Sequence, residues 1–216
     1  MFVKNRMATH LLTVSEETPI LEATQLMREK NVRRLPVVKD EKVVGIVTEN
    51  DLLRVSPSSA TSLSVFEMNY LLSKLLIKKV MTKPVITIDP EATLEEAALL
   101  MREKNIGALP VIKDWKLVGI ITESNIFDAF IDLMGLKEAG TRITIDTEDR
   151  IGVIAEVTDI IRSFGINIIS IAALHTQRTE DEVVLRLDTK EPQAVVDAIR
   201  KRGYKVVHVA SKIGGI

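Results

Sequence analysis

The sequence predicts an α+β chain built from two copies of a strand–helix–strand–strand–helix unit followed by one βαββαβ unit. Three observations carry the prediction. Moving the numbering by 74 lays residues 3–53 on residues 77–127 without a gap, and 23 of the 51 positions are identical. Inside each copy, apolar residues at helical spacing give way to β-branched runs separated by a charged turn. Beyond residue 140 the apolar pattern changes to a different order of strands and amphipathic helices.

Each copy opens with a short apolar run, Leu11–Val14 or Val85–Ile88, read as a strand. A helix follows. Thr18-Pro19 offers an N-cap with proline at the first helical position, and Thr93-x-x-Glu96 is a capping box. Ile20, Ala23 and Met27 recur at helical spacing, as do Leu94, Ala97 and Met101. Two β-branched runs then flank the turns Lys39–Lys42 and Lys113–Lys116, which predicts a hairpin in each copy. A second helix begins near Asp51 or Asn125. Between the copies, the small polar stretch Ser56–Ser62 reads as a loop. Phe66–Leu76 reads as an amphipathic connector helix.

In the last third, Arg142–Asp146 alternates like a strand, and Arg150–Phe164 has helical spacing ended by Gly165. Strands Asn167–His175 and Glu182–Asp188 surround a polar turn, Gln177–Asp181. A helix runs from near Pro192 to Gly203, and Lys205–Val209 closes the set. The order βαββαβ is the ferredoxin-like unit. The chain thus divides into a first repeat (1–56), a linker loop and helix (57–76), a second repeat (77–134), a hinge (135–140) and a C-terminal unit (141–213).

Composition narrows the function classes. With 46% hydrophobic and 27% charged residues the chain is ordinary globular protein. A formal charge of −1 supplies no general attraction to nucleic acid or anionic membranes. Without cysteine there is no thiol catalysis, disulfide or thiolate metal site. His10, His175 and His208 lack ligand spacing, so no metal site is expected. No apolar run approaches the ~18 residues that span a bilayer, and no signal peptide precedes the first repeat. The expectation is a cytoplasmic protein without a nucleic-acid or membrane partner.

The residues with chemistry lie where a strand turns into a helix, at Gly45-Ile46-Val47-Thr48-Glu49-Asn50-Asp51. Two readings stand side by side. Thr48-x-x-Asp51 is a capping box that needs no ligand. The same geometry lets a helix N-terminus meet phosphate while an outward Asp accepts the hydroxyls of a ribose. Arg33 and Arg34 read either as a solvated pair after a helix or as paired cations for a polyanionic phosphate.

The doubled pattern of helix, Leu-Pro-Val, hairpin and Gly-x-x-Thr-x-x-Asp resembles a tandem pair of cystathionine β-synthase (CBS) domains, a Bateman module. The resemblance implies an adenosine-containing ligand (AMP, ADP, ATP or S-adenosylmethionine) in a cleft between the repeats. Thr48 would contact ribose or phosphate, Asp51 the ribose hydroxyls, Arg33 and Arg34 the phosphate, and Thr87, Ile88, Ala108 and Pro110 would border adenine. In the second copy Gly107-Ala108 replaces Arg33-Arg34 and Asn125 replaces Asp51. The mirror site of Thr122, Asn125, Thr13 and Val14 is therefore expected to be weaker.

Asp149-Arg150-Ile151-Gly152-Val153, followed by Gly165-Ile166-Asn167-Ile168, resembles the ACT domain, a regulatory unit that often senses amino acids. That resemblance implies pairing of two copies through their sheets and makes Asp149, Gly152 and Asn167 candidates for an amino-acid site. Ile151 stands where the family usually has proline, and Gly152 and Asn167 read equally as packing and turn residues. The whole arrangement is similar to the acetoin-utilisation B-type proteins.

The leading expectation is a non-catalytic, homodimeric sensor of an adenosine compound, with an amino acid as a second input and no catalytic cofactor. An interaction or dimerisation subunit with vestigial sites is the alternative. A nucleotide-processing enzyme ranks lower, since no nucleophile–base–acid set or Walker-type loop is visible.

Overall fold

The computed structural model describes residues 1–55, 64, 67, 70, 73–175 and 181–212. The polar loop expected over 56–62, much of the connector helix expected over 66–76, and turn residues 177–180 lie outside the described residues. The chain forms two compact units, Met1–Ile126 and Phe127–Ile216.

In the first unit the 74-residue register survives in detail. The first repeat contains β1 (Val14–Ser15), α1 (Ile20–Glu29), β2 (Arg34–Lys39), β3 (Lys42–Thr48) and α2 (Glu49–Val55). The second contains α3 (Leu94–Lys104), β4 (Ala108–Lys113), β5 (Lys116–Thr122) and α4 (Glu123–Leu133), whose range crosses into the second unit. Both hairpins turn through two residues at positive φ, Asp40-Glu41 and Asp114-Trp115. That geometry matches the right-handed twist of the strands it joins. Each hairpin carries a register shift at the same place, between Val37 and Val38 and between Val111 and Ile112.

The opening strands are shorter than expected. Of Leu11–Val14 only Val14 enters β1, pairing in parallel with Val37. Val85–Ile88 reduces to an isolated bridge between Ile88 and Val111. The capping box of Thr93 and Glu96 forms in both directions. Thr18 is not the cap of α1: Pro19 occupies that position, and the Thr18 hydroxyl instead accepts the Ser15 N–H at 3.0 Å.

The repeats exchange their opening segments. The N–H groups of Val3 and Lys4 donate to Ala92 and Pro90, and Met1 accepts from Leu94. Seventy-four residues later, Ile77 and Lys78 donate to Thr18 and Glu16, and Leu75 accepts from Ile20. Ala8 pairs with Ile120 of the second repeat and Thr82 with Ile46 of the first. Ile77 and Met81 are consequently part of the first repeat's core, packed with Ile20, Met27, Leu35 and Val47. Gly45 and Gly119 make room for the swap, because a Cβ at either would collide with the thioether of Met81 or Met7.

The second unit is a four-stranded antiparallel sheet ordered β7-β8-β6-β9. Its strands are β6 (Gly140–Thr147), β7 (Ile168–Leu174), β8 (Asp181–Leu187) and β9 (Lys205–Lys212); its own helices are α5 (Val153–Ser163) and α6 (Gln193–Lys201). Ile143, Leu185, Val157, Ile161, Val195 and Ile199 form the centre of its core. Gly165 and Gly203 follow the helices at positive φ, the geometry in which chains leave helices. The segment expected as a hinge over 135–140 is tied to this sheet. Ser170 Oγ donates to the Met134 carbonyl at 3.0 Å, and a Cβ on Gly140 would collide with the Leu187 carbonyl. No helix among the described residues is long and apolar enough to cross a membrane.

Candidate functional site

The exchange of opening segments builds a cleft of about 430 Å³ in the first unit. One wall is Arg33, Arg34, Ile46 and Thr48–Asp51; the other is Thr82, Pro84–Ile86 and Asn105–Ala108 with Pro110. Its size falls in the range of small-molecule sites.

Thr48 and Asp51 form a reciprocal cap at the start of α2. Asp51 Oδ2 accepts from the Thr48 N–H (2.9 Å) and hydroxyl (2.7 Å), while the Asp51 N–H donates to Thr48 Oγ1 at 3.2 Å. All three bonds fall on one carboxylate oxygen and one hydroxyl. Among the described residues nothing donates to Oδ1, which keeps its lone pairs for another donor. The helix behind this cap has only seven residues, so its dipole is short and the positive charge of the cleft comes mainly from the arginines.

Arg34 leaves the first position of β2 and reaches the second repeat. Its Nη2 lies 4.0 Å from Glu123 Oε2, with 25% of the Arg34 side chain and 69% of the Glu123 side chain exposed. Gly107 provides the space: a Cβ there would collide with the guanidinium and lie 2.6 Å from the same Glu123 oxygen. Burial lowers the Arg34 pKa from its ordinary value, the Arg33 charge lowers it further, and Glu123 opposes both. The group stays charged, so the cleft holds a poorly compensated cation.

Of the residues expected to contact nucleotide, Thr48, Asp51, Arg33, Arg34, Ala108 and Pro110 line this cleft. Thr87 and Ile88 do not. Ile88 is spent on the sheet, donating to the Pro110 carbonyl and accepting from the Ile112 N–H. The wall comes from Thr82 and Pro84–Ile86 instead, and its signal is the cross-repeat pairing of Thr82 with Ile46.

At the mirror position, Thr122 and Asn125 repeat the cap at 2.9, 2.7 and 3.3 Å. The Thr122 N–H can only donate, which fixes the amide oxygen toward it and turns Nδ2 outward. The first repeat thus offers an acceptor where the second offers a donor. Val14, expected beside this second site, is 7% exposed and belongs to the core, whereas Thr13 is exposed. The 74-residue offset of the observed wall falls on Ala8 and His10–Leu12.

In the second unit, Asp149 and Gly152 border a cavity of about 470 Å³ together with Ile154, His175, Asp181 and Val183. Gly152 caps α5 at φ 94, with nothing closer to its Cβ position than Glu156 Oε1 at 4.0 Å. Its glycine serves the backbone angle rather than close packing. Asn167 lies at the far end of the sheet, next to the Ile168–Leu187 pair, and does not join this cavity. His175 does, hydrogen-bonding Asp181 Oδ2 at 2.6 Å. That bond, the Asp181 charge and the Asp149 charge raise the His175 pKa above its ordinary value. Asp149, His175 and Asp181 bring ligand-type atoms within 4.8 Å of one another, a grouping the sequence spacing hid. The His175–Asp181 hydrogen bond accounts for it without an ion.

Beside the cavity, Arg150 grips Glu156 with two 2.9 Å bonds, and Tyr204 donates to Glu156 Oε2 at 2.7 Å. These donors, Arg150 first, hold the Glu156 carboxyl down to about 2.

Residues 3–58 and 77–132 match the family model of the CBS domain, and residues 139–210 match that of the TTHA0829-like ACT domain. The chain is 34% identical over 185 residues to an inosine-5'-monophosphate dehydrogenase of Korarchaeum cryptofilum, covering 80% of this chain and 35% of that protein. It spans about a third or less of the length of the first curated relatives it matches. Among solved structures it is similar to a Vibrio cholerae protein assigned to acetoin utilization (AcuB), at 32% identity and TM-score 0.53 over 63% of this chain and 94% of the other. The CBS pair of MJ0100, in complex with 5'-methylthioadenosine and S-adenosyl-L-methionine, gives 28% identity and TM-score 0.51 over 64% and 98%. CBSX2 in complex with AMP gives 31% and 0.50 over 60% and 96%. With two family matches at the positions of its repeats and a third over its last unit, the chain belongs to the CBS-domain proteins, as a tandem CBS pair followed by a TTHA0829-like ACT domain.

Proposed function

We propose that the chain is a non-catalytic sensor whose first-unit cleft binds an adenosine-containing ligand. One observation carries the reading: a single cleft gathers an unfilled carboxylate oxygen, two adjacent guanidinium groups and an apolar opposite wall. Asp51 Oδ1 accepts a ribose hydroxyl, Arg33 and Arg34 face an anionic group, and Pro84–Ile86 with Ala108 and Pro110 hold the base. The complexes of MJ0100 with sulfur adenosines and of CBSX2 with AMP support an adenosine core. Ligand regulates only if it binds two arrangements of the repeats unequally. The ACT cavity at Asp149 and Gly152 supplies an amino-acid input, and pairing of two copies belongs to the same proposal.

Asp51→Asn tests the carrying observation. Asn125 shows that an amide closes the same cap, so the variant keeps its melting temperature. The outward group becomes a donor and the charge is lost. Calorimetric titration with AMP should show affinity falling at least about tenfold, the effect of losing one charge-assisted hydrogen bond. Unchanged AMP affinity would remove Asp51 from the site, and steady nucleotide turnover by the wild type would overturn the non-catalytic reading.

A further inference from the structure

Arg34 is shared between two regions that the repeat symmetry should keep equivalent. It lines the cleft built around Asp51, yet its only ion-pair partner among the described residues is Glu123, at the start of the helix that carries Asn125. The partnership is loose. At 4.0 Å it is too long for a hydrogen bond, and among the described residues the guanidinium donates none. Three quarters of the side chain is withdrawn from solvent, and its donors are unfilled among the described residues.

The arrangement runs one way only. The 74-residue equivalent of Glu123 is Glu49, and the equivalent of Arg34 is Ala108, so the reciprocal pair does not exist. Gly107, the second repeat's counterpart of Arg33, clears the volume through which Arg34 reaches Glu123. Two differences between the repeats, Arg33 against Gly107 and Arg34 against Ala108, therefore serve one contact.

Resting on the reading of the cleft as an adenosine site, we propose that Glu123 is a specificity-determining residue: its carboxylate competes with the ligand's anionic group for Arg34. A phosphate that approaches Arg34 must replace a carboxylate already near it, and meets that carboxylate's repulsion. A ligand without an anionic group at this end leaves the pair alone. Glu123 thereby sets how far the cleft favours phosphorylated over unphosphorylated adenosines. Arg33, which has no such competitor among the described residues, supplies a constant background attraction.

The test is calorimetric titration of the full chain with AMP and with adenosine, for wild type, Glu123→Gln, Arg34→Gln and the double variant. Gln keeps the size of the exposed Glu123 side chain, and thermal melts verify folding. Expected is an AMP affinity about three- to tenfold higher in E123Q, with adenosine within twofold of wild type and the gain shrinking in high salt. In the R34Q background E123Q should change AMP binding by less than twofold, because the pair acts as a unit. AMP binding equally well to wild type and E123Q would overturn the competition while leaving the adenosine site standing. An equal gain in the R34Q background would also overturn it, by showing a general charge effect. If neither AMP nor adenosine binds any variant, the adenosine reading itself fails and takes this inference with it.

Discussion

Ile77 belongs by sequence to the second repeat and by packing to the first, so Ile77→Ala should damage the neighbour rather than its own repeat. The residue is fully buried in a cluster with Ile20, Met27, Leu35 and Val47. Truncation removes three carbons, about 2.4 kcal/mol of transfer free energy at roughly 0.8 kcal/mol each. The cavity left behind brings the expected loss to about 2.5–5 kcal/mol. Its symmetry mate Val3, also fully buried, loses two carbons on Val3→Ala and should cost about 1.5–3 kcal/mol in the second repeat. Peptide-level hydrogen exchange separates the two, because local stability is read segment by segment. In I77A, protection should fall over α1, β2 and β3 while α3, β4 and β5 stay protected; V3A should give the reverse. Loss of protection over α3–β5 in I77A, with α1–β3 unaffected, would refute the exchange.

Two further outcomes follow from the second unit. Gly140→Ala should destabilise that unit by about 2–5 kcal/mol in denaturant unfolding, since φ is +147 and the added Cβ meets the fixed Leu187 carbonyl. The pH dependence should have two arms. Glu156 is held down to about 2 against about 4.3 when unfolded, so its contribution is full above the unfolded value and is lost as pH falls toward 2. His175 is raised, so its contribution is present below about 6.5 and disappears as pH rises through its folded value. Melts across pH should show Glu156→Gln flattening the acid arm and His175→Ala the alkaline one.

The scaffold was legible because its signals are local and doubled. The Thr93–Glu96 box, the two charged hairpin tips, and Gly165 and Gly203 after their helices each depend on a few neighbouring residues, and the gapless register let one copy check the other. What stayed hidden depends on partners far along the chain. No spacing announces that Thr82 pairs with Ile46, so the resemblance points to Thr87 and Ile88 where the wall is Thr82 and Pro84–Ile86. Likewise Val14 was read as a site residue when it fills the core. Asn167 follows a glycine as a strand start should, but strand order puts it at the opposite end of the sheet from Gly152. His175 and Asp181 meet beside the paired ends of β7 and β8, a juxtaposition that only the strand register reveals. Asp51 was readable as both cap and ligand residue, and the geometry divides those roles between its two oxygens.

The exchanged openings also determine what one repeat can do by itself. Cut from its sister, either copy lacks the segment that completes its core and can recover it only from another molecule. With both copies on one chain, supplying that segment becomes an intramolecular step. Completion then no longer depends on how much protein is present. The cost is kinetic: contacts between residues 36 to 112 positions apart must close before both cores are finished, which raises contact order and slows folding. Carrying both copies on one polypeptide makes completion of each core a property of that polypeptide, while the halves differ at the positions of Arg34, Gly107 and Asn125.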